Sequence, residues 1–105
     1  MNLFELPTTP LSEELCERLL PDRGVLIERI ISTGQASPPG FWYDQDRDEW
    51  VVLLQGQAGL AWDNGRTQTL QPGDWLLIPA HERHRVEWTS QEPACIWLAV
   101  HAKLV

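Results

Sequence analysis

The sequence predicts an all-β fold, a sandwich or barrel of short strands, preceded by a short helix. Three observations support this prediction. Segments of strand length, rich in β-branched, aromatic and other apolar residues, recur from position 25 to position 101. Turn-forming Gly, Pro, Asn and Asp separate these segments. Short strands at such regular spacing favour a sandwich or barrel over alternating βαβ units.

The N-terminal part is predicted to form an extension over residues 1–24, ahead of a barrel over residues 25–105. Its first six residues are predicted to form a short edge strand. A helix is then expected from about Ser12, which can cap it and is followed by acidic residues that suit the positive end of the helix dipole. Pro21 ends this helix after Leu20.

The remaining strands are predicted from apolar runs and the turns between them. Asp63-Asn64-Gly65 is a strong hairpin signal, because Asn-Gly suits the primed turns. Gln71-Pro72-Gly73-Asp74 is typical of a tight turn, and Pro79 ends the strand that follows it. The predicted strands cover residues 25–32, 49–54, 58–62, 66–70, 75–78, 84–88 and 94–101.

Composition indicates one small domain and excludes several classes of partner. The chain has 105 residues, 43% hydrophobic residues and a formal net charge of −7. This charge argues against nucleic acid and against anionic membrane surfaces, since no basic patch is available for phosphates. No apolar run approaches the ~20 residues of a membrane span, and the first residues do not resemble a signal peptide. We therefore expect a cytoplasmic protein, with Cys16 and Cys95 reduced and buried.

Two sets of residues keep a fixed spacing. Gly73, Pro79 and His84 form one set, and Glu49 with Gly56 six residues further on forms the other. On these residues the chain resembles the single-domain cupins, a family of small jelly-roll barrels. Their motifs are H-x-H-x(3,4)-E-x(6)-G and G-x(5)-P-x-G-x(2)-H-x(3)-N. The resemblance covers about residues 25–101 and implies a cupin barrel.

The chain also departs from both cupin motifs. In the second motif His81 stands where the family has glycine, and Trp88 stands where it has asparagine. In the first motif both histidines are replaced. Depending on the spacer, their positions hold either Tyr43 and Gln45 or Trp42 and Asp44.

The resemblance implies a divalent metal ion, such as Fe, Mn, Ni or Zn, inside the barrel. The metal-ligand candidates are Glu49 and His84, which are retained, with Gln45 as an oxygen donor and His81 as an added nitrogen donor. Amide oxygen is a poor ligand for late transition metals, so such a site binds metal more weakly than three imidazoles. The alternative is that Tyr43 and Gln45 only line the pocket.

The remaining site predictions concern catalysis and the pocket wall. Glu49, His84 and Tyr43 are the candidate catalytic residues, because a carboxylate buried without a partner is costly and implies a functional neighbour. Trp42 and Trp88 are predicted at the pocket mouth. His101, at the end of the last strand, faces either the same cavity or solvent. Asp44, Asp46, Arg47 and Asp48 are interpreted as a solvated charged loop.

Three functions remain open. The first is a metal-dependent enzyme of isomerase, dioxygenase or lyase type that acts on a small polar molecule. The second is a metal-free module that binds a small molecule in an aromatic-lined pocket. The third is a chain whose site has decayed and whose barrel serves assembly. The resemblance also implies a homodimer.

Overall fold

The computed structural model describes residues 1–105 as an all-β protein of eight strands in two sheets. It contains no helix. No helix long and apolar enough to span a bilayer is therefore present. The strands are β1 (Leu15–Arg18), β2 (Leu26–Ser32), β3 (Asp48–Gln55), β4 (Ala58–Trp62), β5 (Thr67–Leu70), β6 (Trp75–Ile78), β7 (His84–Thr89) and β8 (Cys95–Ala102).

The two sheets pack against each other as a sandwich. The larger sheet has five strands in the order β1-β2-β8-β3-β6, and the smaller has three in the order β5-β4-β7. All pairings are antiparallel. The sheets do not close into the predicted barrel, because no ladder joins an edge strand of one sheet to the other. The seven strands predicted from residue 25 onward lie where the sequence predicts them.

The predicted N-terminal helix is wrong, and so is the edge strand predicted before Leu6. Residues 15–18 form β1, which pairs with β2 from Leu15 opposite Ile31 to Arg18 opposite Glu28. An isolated helix of about nine residues is marginal in water, whereas the edge of β2 offers hydrogen-bond partners to an extended chain. Pairing with β2 therefore overrides the capping signal at Ser12, and β1 belongs to the larger sheet.

A shared hydrophobic core joins the two sheets. Leu53 of β3 and Cys95 of β8 are fully buried, and Leu60 and Trp62 of β4 contribute from the smaller sheet. Side chains alternate along a strand, so every second residue of β3 faces inward. Glu49, Val51 and Leu53 are these inward residues.

Gly56, the glycine of the first cupin-like motif, directly follows β3 at a position with no space for a side chain. Its φ is 88°, and a Cβ at this position would lie 2.8 Å from the Cys95 sulfur. Glycine is therefore required by both conformation and packing. Just before it, the register of β3 against β8 shifts: Leu53 faces Trp97, whereas Gln55 faces Ile96. This is a β-bulge of one residue.

Candidate functional site

A cavity of about 110 Å³ lies between the sheets, at the end where β3 begins and β8 finishes. Residues from both sheets, and from the loop before β3, line it. Its apolar walls are Ile30, Val51, Leu60, Ile78, Val86 and Trp97. Three carboxylates, two imidazoles and three other polar side chains complete the lining.

Glu49 stands at the centre of this polar lining. On β3 it pairs directly with His101 of β8, and His84 faces it from β7 in the smaller sheet. Only 7% of Glu49 is exposed. Its carboxylate oxygens lie 3.7 Å from His84 Nε2 and 4.0 Å from His101 Nε2. Both distances exceed a hydrogen bond, so the carboxylate is buried beside two imidazoles that do not bond to it.

His84 is held in one orientation by the backbone. Its Nδ1 donates to the carbonyl oxygen of Glu82 at 2.8 Å, which leaves Nε2 directed at Glu49. Burial opposes the charged form of His84. The Glu49 carboxylate and the Glu82 carbonyl outweigh this effect, so the pKa of His84 is raised above its ordinary value.

His101 lines the cavity, one of the two positions considered for it from the sequence. Its Nε2 lies 3.0 Å from a carboxylate oxygen of Glu28 on β2. This hydrogen bond raises the pKa of His101, burial opposes the rise, and the nearby Glu49 adds to it. The His101–Glu28 pair is the shortest ion pair within the cavity lining, and the longer contacts of Glu49 with His84 and His101 accompany it.

Three of the lining residues were missed from the sequence: Glu14, Cys16 and Glu28. The Glu14 carboxylate accepts a hydrogen bond from the Ser32 hydroxyl at 2.7 Å, and burial raises the pKa of Glu14. Burial also raises the pKa of the Cys16 thiol, to about 11. Cys95 is buried as predicted, but Cys16 is exposed, contrary to the prediction, because edge strand β1 reaches solvent.

Tyr43 and Gln45 both line the cavity, as the alternative reading of the first motif predicts. Tyr43 forms a backbone bridge to His84, with N–O distances of 2.7 and 3.2 Å in the two directions. Its ring stacks on the His84 ring at a centroid separation of 5.4 Å. Burial raises the pKa of Tyr43 to about 12, so the phenol keeps its proton at neutral pH. Tyr43 therefore braces His84 from one side.

The structure does not bring His81, Trp42 or Trp88 into the cavity. The His81 ring is exposed and lies 2.7 Å from Asp44. His81 occupies the family's glycine position with a φ of 64°, which explains why glycine suits that position. Trp42 lies near the Arg83 and Arg85 guanidinium groups, at about 6 Å, and Trp88 is 41% exposed.

The charged loop before β3 is only partly solvated. Asp48 is buried, and its carboxylate accepts hydrogen bonds from the backbone amides of Ala80, Leu104 and Val105 at 2.8, 2.8 and 3.1 Å. These bonds lower the pKa of Asp48. The carboxylate thereby ties the β6–β7 loop and the C-terminus to the cavity end of β3.

The donor set does not fit a divalent metal ion. No three His, Cys, Asp or Glu side chains are arranged to hold one. His101 Nε2 is engaged by Glu28, so it does not replace a lost motif histidine as a free ligand. Gln45 offers only an amide oxygen. Glu49 and His84 remain as two retained ligands, short of the three or more that protein metal sites use.

The sandwich, its strand order and the two motif halves define a cupin-type protein, and comparison with known proteins agrees. The family model described as Cupin domain matches residues 29–101. The chain belongs to the cupin family.

Solved structures extend the comparison over the whole chain. A protein of Ralstonia eutropha JMP134, provisionally named a mannose-6-phosphate isomerase, is 48% identical with a TM-score of 0.92, and the match covers 99% of this chain and 97% of that one. A cupin superfamily protein of Desulfitobacterium hafniense DCB-2 is 20% identical with a TM-score of 0.75, covering 93% and 84% of the two chains. The polyketide cyclase RemF of Streptomyces resistomycificus is 23% identical with a TM-score of 0.71, covering 86% and 65%. The last two show the fold alone.

A curated relative matches over a shorter stretch. It is the RCS-specific HTH-type transcriptional activator RclR of Escherichia coli (strain K12), 38% identical over 47 residues. The match covers 45% of this chain and 16% of the length of that protein. The names of the similar proteins thus include enzymes and a transcriptional activator.

Proposed function

We propose that this cupin binds a small polar molecule in the cavity through side-chain hydrogen bonds, without a bound metal ion. The observation that carries the proposal is the state of Glu49. The residue is only 7% exposed, and the nearest imidazole nitrogens stand 3.7 and 4.0 Å from its carboxylate oxygens, beyond hydrogen-bond distance. A buried charge without hydrogen bonds is costly, and a ligand with N–H or O–H groups supplies the bonds that the protein does not.

The surroundings of Glu49 support recognition of a specific ligand. Small-molecule sites combine apolar walls with a few convergent polar groups, and this cavity has both. The Glu82 carbonyl and the Tyr43 ring fix the imidazole of His84. A rigid polar group of this kind loses little conformational entropy when a ligand binds.

A ligand screen with a charge-neutral variant tests this proposal. Wild type, Glu49→Gln and the exposed control Glu13→Gln are screened by thermal shift against small polar molecules, and bound metal is measured by mass spectrometry. We expect at least one compound that stabilises wild type and Glu13→Gln. Its affinity should fall tenfold or more in Glu49→Gln, as expected when a buried ionic hydrogen bond is lost.

Two outcomes would contradict the proposal. Stoichiometric metal in untagged wild-type protein, lost in Glu49→Gln and His84→Ala, would establish the metal-dependent reading instead. Ligands that bind all three proteins of the screen equally would place binding outside the cavity.

A second candidate function is metal-free proton transfer of the isomerase type. It is favoured by one feature: a buried carboxylate lies between two imidazoles whose pKa values are raised, so a base and two acids share one cavity. The isomerase name of the Ralstonia protein and the cyclase name of RemF support this candidate.

Hydrogen–deuterium exchange separates proton transfer from simple binding. Hydroxyacetone in D2O is a suitable probe, because its carbon-bound protons are adjacent to a carbonyl and its five non-hydrogen atoms are few enough for a cavity of about 110 Å³. Exchange accelerated by wild type and Glu13→Gln, and abolished in Glu49→Gln, would support catalysis. Equal exchange rates with wild type and Glu49→Gln would exclude Glu49 as the base for this probe.

A further inference from the structure

The charge of the cavity lining indicates which end of a ligand it accepts. We propose that the group held in the cavity is a compact nitrogen cation, such as an ammonium, amidinium or guanidinium group, and not a phosphate or carboxylate. This inference deepens the binding function proposed above and rests on it.

The first argument is the balance of charged side chains. Glu14, Glu28 and Glu49 line the cavity, and no Lys or Arg does so. If His84 and His101 are both protonated, three carboxylates still face two imidazoliums, a net charge of −1. If the imidazoles are neutral, the imbalance is larger. An anionic ligand would therefore meet like charge at short range and low dielectric, where repulsion is strong.

The second argument is the geometry of the unpaired acceptor. Both oxygens of Glu49 are free of hydrogen bonds in a side chain that is only 9% exposed. Planar amidinium and guanidinium groups present parallel N–H donors that match two carboxylate oxygens, and charge-assisted bonds of this type are the strong ones. The two free oxygens of Glu49 are acceptors, which is the complement of a cation with N–H groups.

The third argument is size. An apolar cavity of about 150 Å³ holds a benzene molecule, which has six non-hydrogen atoms. By the same measure the cavity of about 110 Å³ takes a group of only about four or five non-hydrogen atoms. A whole sugar phosphate exceeds this, and its phosphate would lack any Lys or Arg partner in the lining. The name of the Ralstonia protein therefore does not predict the ligand of this chain.

Three isosteric probes test the preference directly. Acetamidinium, acetamide and acetate have the same planar four-atom skeleton and charges of +1, 0 and −1. Binding is followed by NMR through the imidazole signals of His84 and His101 and the indole signal of Trp97, at millimolar probe concentrations because four-atom ligands bind weakly. We expect acetamidinium to bind at least tenfold more tightly than acetate, with acetamide between them.

A matched pair of variants assigns the preference to the cavity. Glu14→Gln removes the carboxylate that has no imidazole partner, and Glu13→Gln makes the same change at the neighbouring exposed position. The ratio of amidinium to acetamide affinity should fall severalfold in Glu14→Gln and stay at the wild-type value in Glu13→Gln.

The outcomes separate this inference from the function on which it rests. If acetate binds as tightly as acetamidinium at these signals, the cavity still binds small molecules but the cation preference is wrong. If none of the three probes perturbs the signals, the inference also fails, while the ligand screen described above decides the proposed function independently. An unchanged ratio in Glu14→Gln would remove Glu14 from the explanation.

Discussion

The two ends of the sandwich differ sharply, although the same strands build both. At one end β3 and β8 contribute Leu53 and Cys95, which are fully buried in the hydrophobic core. At the other end the same two strands contribute Glu49 and His101, which are almost as buried, at 7% exposure each, but face a cavity. We call these the packed end and the cavity end.

The comparison shows that similar burial has different consequences at the two ends. At the packed end each side chain is in contact with others on all sides, and its removal leaves a void. At the cavity end the Glu49 carboxylate makes no hydrogen bond, and its ion-pair contacts with two imidazoles, at 3.7 and 4.0 Å, are offset by the cost of burying its charge. The packed end therefore holds the fold together, and the cavity end is available for ligand binding.

The largest expected effect is a contrast between substitutions on one strand. Leu53→Ala should lower the free energy of unfolding by about 2–5 kcal/mol, the cost of a buried leucine plus the void that it leaves. Glu49→Gln should change it by less than about 1 kcal/mol, because no hydrogen bond is lost and a buried charge is removed. Urea unfolding measures both values.

The exposed Leu20 provides the control for this contrast. Leu20→Ala should stay within about 0.5 kcal/mol of wild type. A loss in Glu49→Gln comparable to that in Leu53→Ala would show that the cavity end is also structural, and the comparison would then break down.

An intermediate effect is expected at the rim of the cavity end. A non-glycine residue in the left-handed region costs about 1–2 kcal/mol, and the exposed His81–Asp44 pair is worth at most about 1 kcal/mol. His81→Gly should therefore stabilise the protein by about 0.5–1 kcal/mol. Asp44→Asn breaks the pair without relieving the backbone and should be neutral or slightly destabilising. Thermal unfolding of both variants checks the sign, and a destabilised His81→Gly would show that the pair outweighs the strain.

The smallest expected effect is a pH dependence that belongs to the cavity end alone. The Glu28 hydrogen bond, with Glu49 nearby, raises the pKa of His101 above its ordinary value of about 6.5. This contribution to stability is complete below about pH 6.5 and is lost as the pH rises through the raised pKa. Wild type should thus lose stability as the pH rises above about 6.5, and His101→Gln should lose less.

The same pH series on Leu53→Ala provides the control. Its curve should lie below that of wild type and run parallel to it, because the packed end contains no group that titrates in this range. A pH slope in His101→Gln equal to that of wild type would assign the dependence to His84, whose pKa is raised in the same direction.

The cupin strands could be predicted from the sequence because their signals are local. The Asn64-Gly65 turn, the Pro72-Gly73 turn and the apolar runs between them fix the strands to within one or two residues. The N-terminal segment could not be predicted in this way. Its helix signals at Ser12 and Pro21 are also local, but its structure is decided by pairing with β2, which is distant in sequence.

The same distinction between local signals and contacts distant in sequence explains which site residues could be predicted. Glu49, His84, Tyr43 and Gln45 were found because motif spacing marks them, and all four line the cavity. Glu14 and Cys16 were missed because they belong to the segment predicted as a helix, where the alternation of a strand was not considered. Trp42 and Trp88 were assigned to the pocket because they occupy motif positions or lie next to them. Position in a motif carries no information about the direction of a side chain. The homodimer stays a prediction, and light scattering measures it.

The bulge between Leu53 and Gln55 has a further consequence, which concerns the insertions and deletions that the protein tolerates. Side chains alternate along a strand, so inserting or deleting one residue between the bulge and the start of β3 would exchange the two faces of that stretch. Trp50 would then point into the cavity and Glu49 would point out of it. Length changes should therefore be accepted in the loop before β3 and rejected within the strand, and a deletion scan across residues 40–55 would show where that boundary falls.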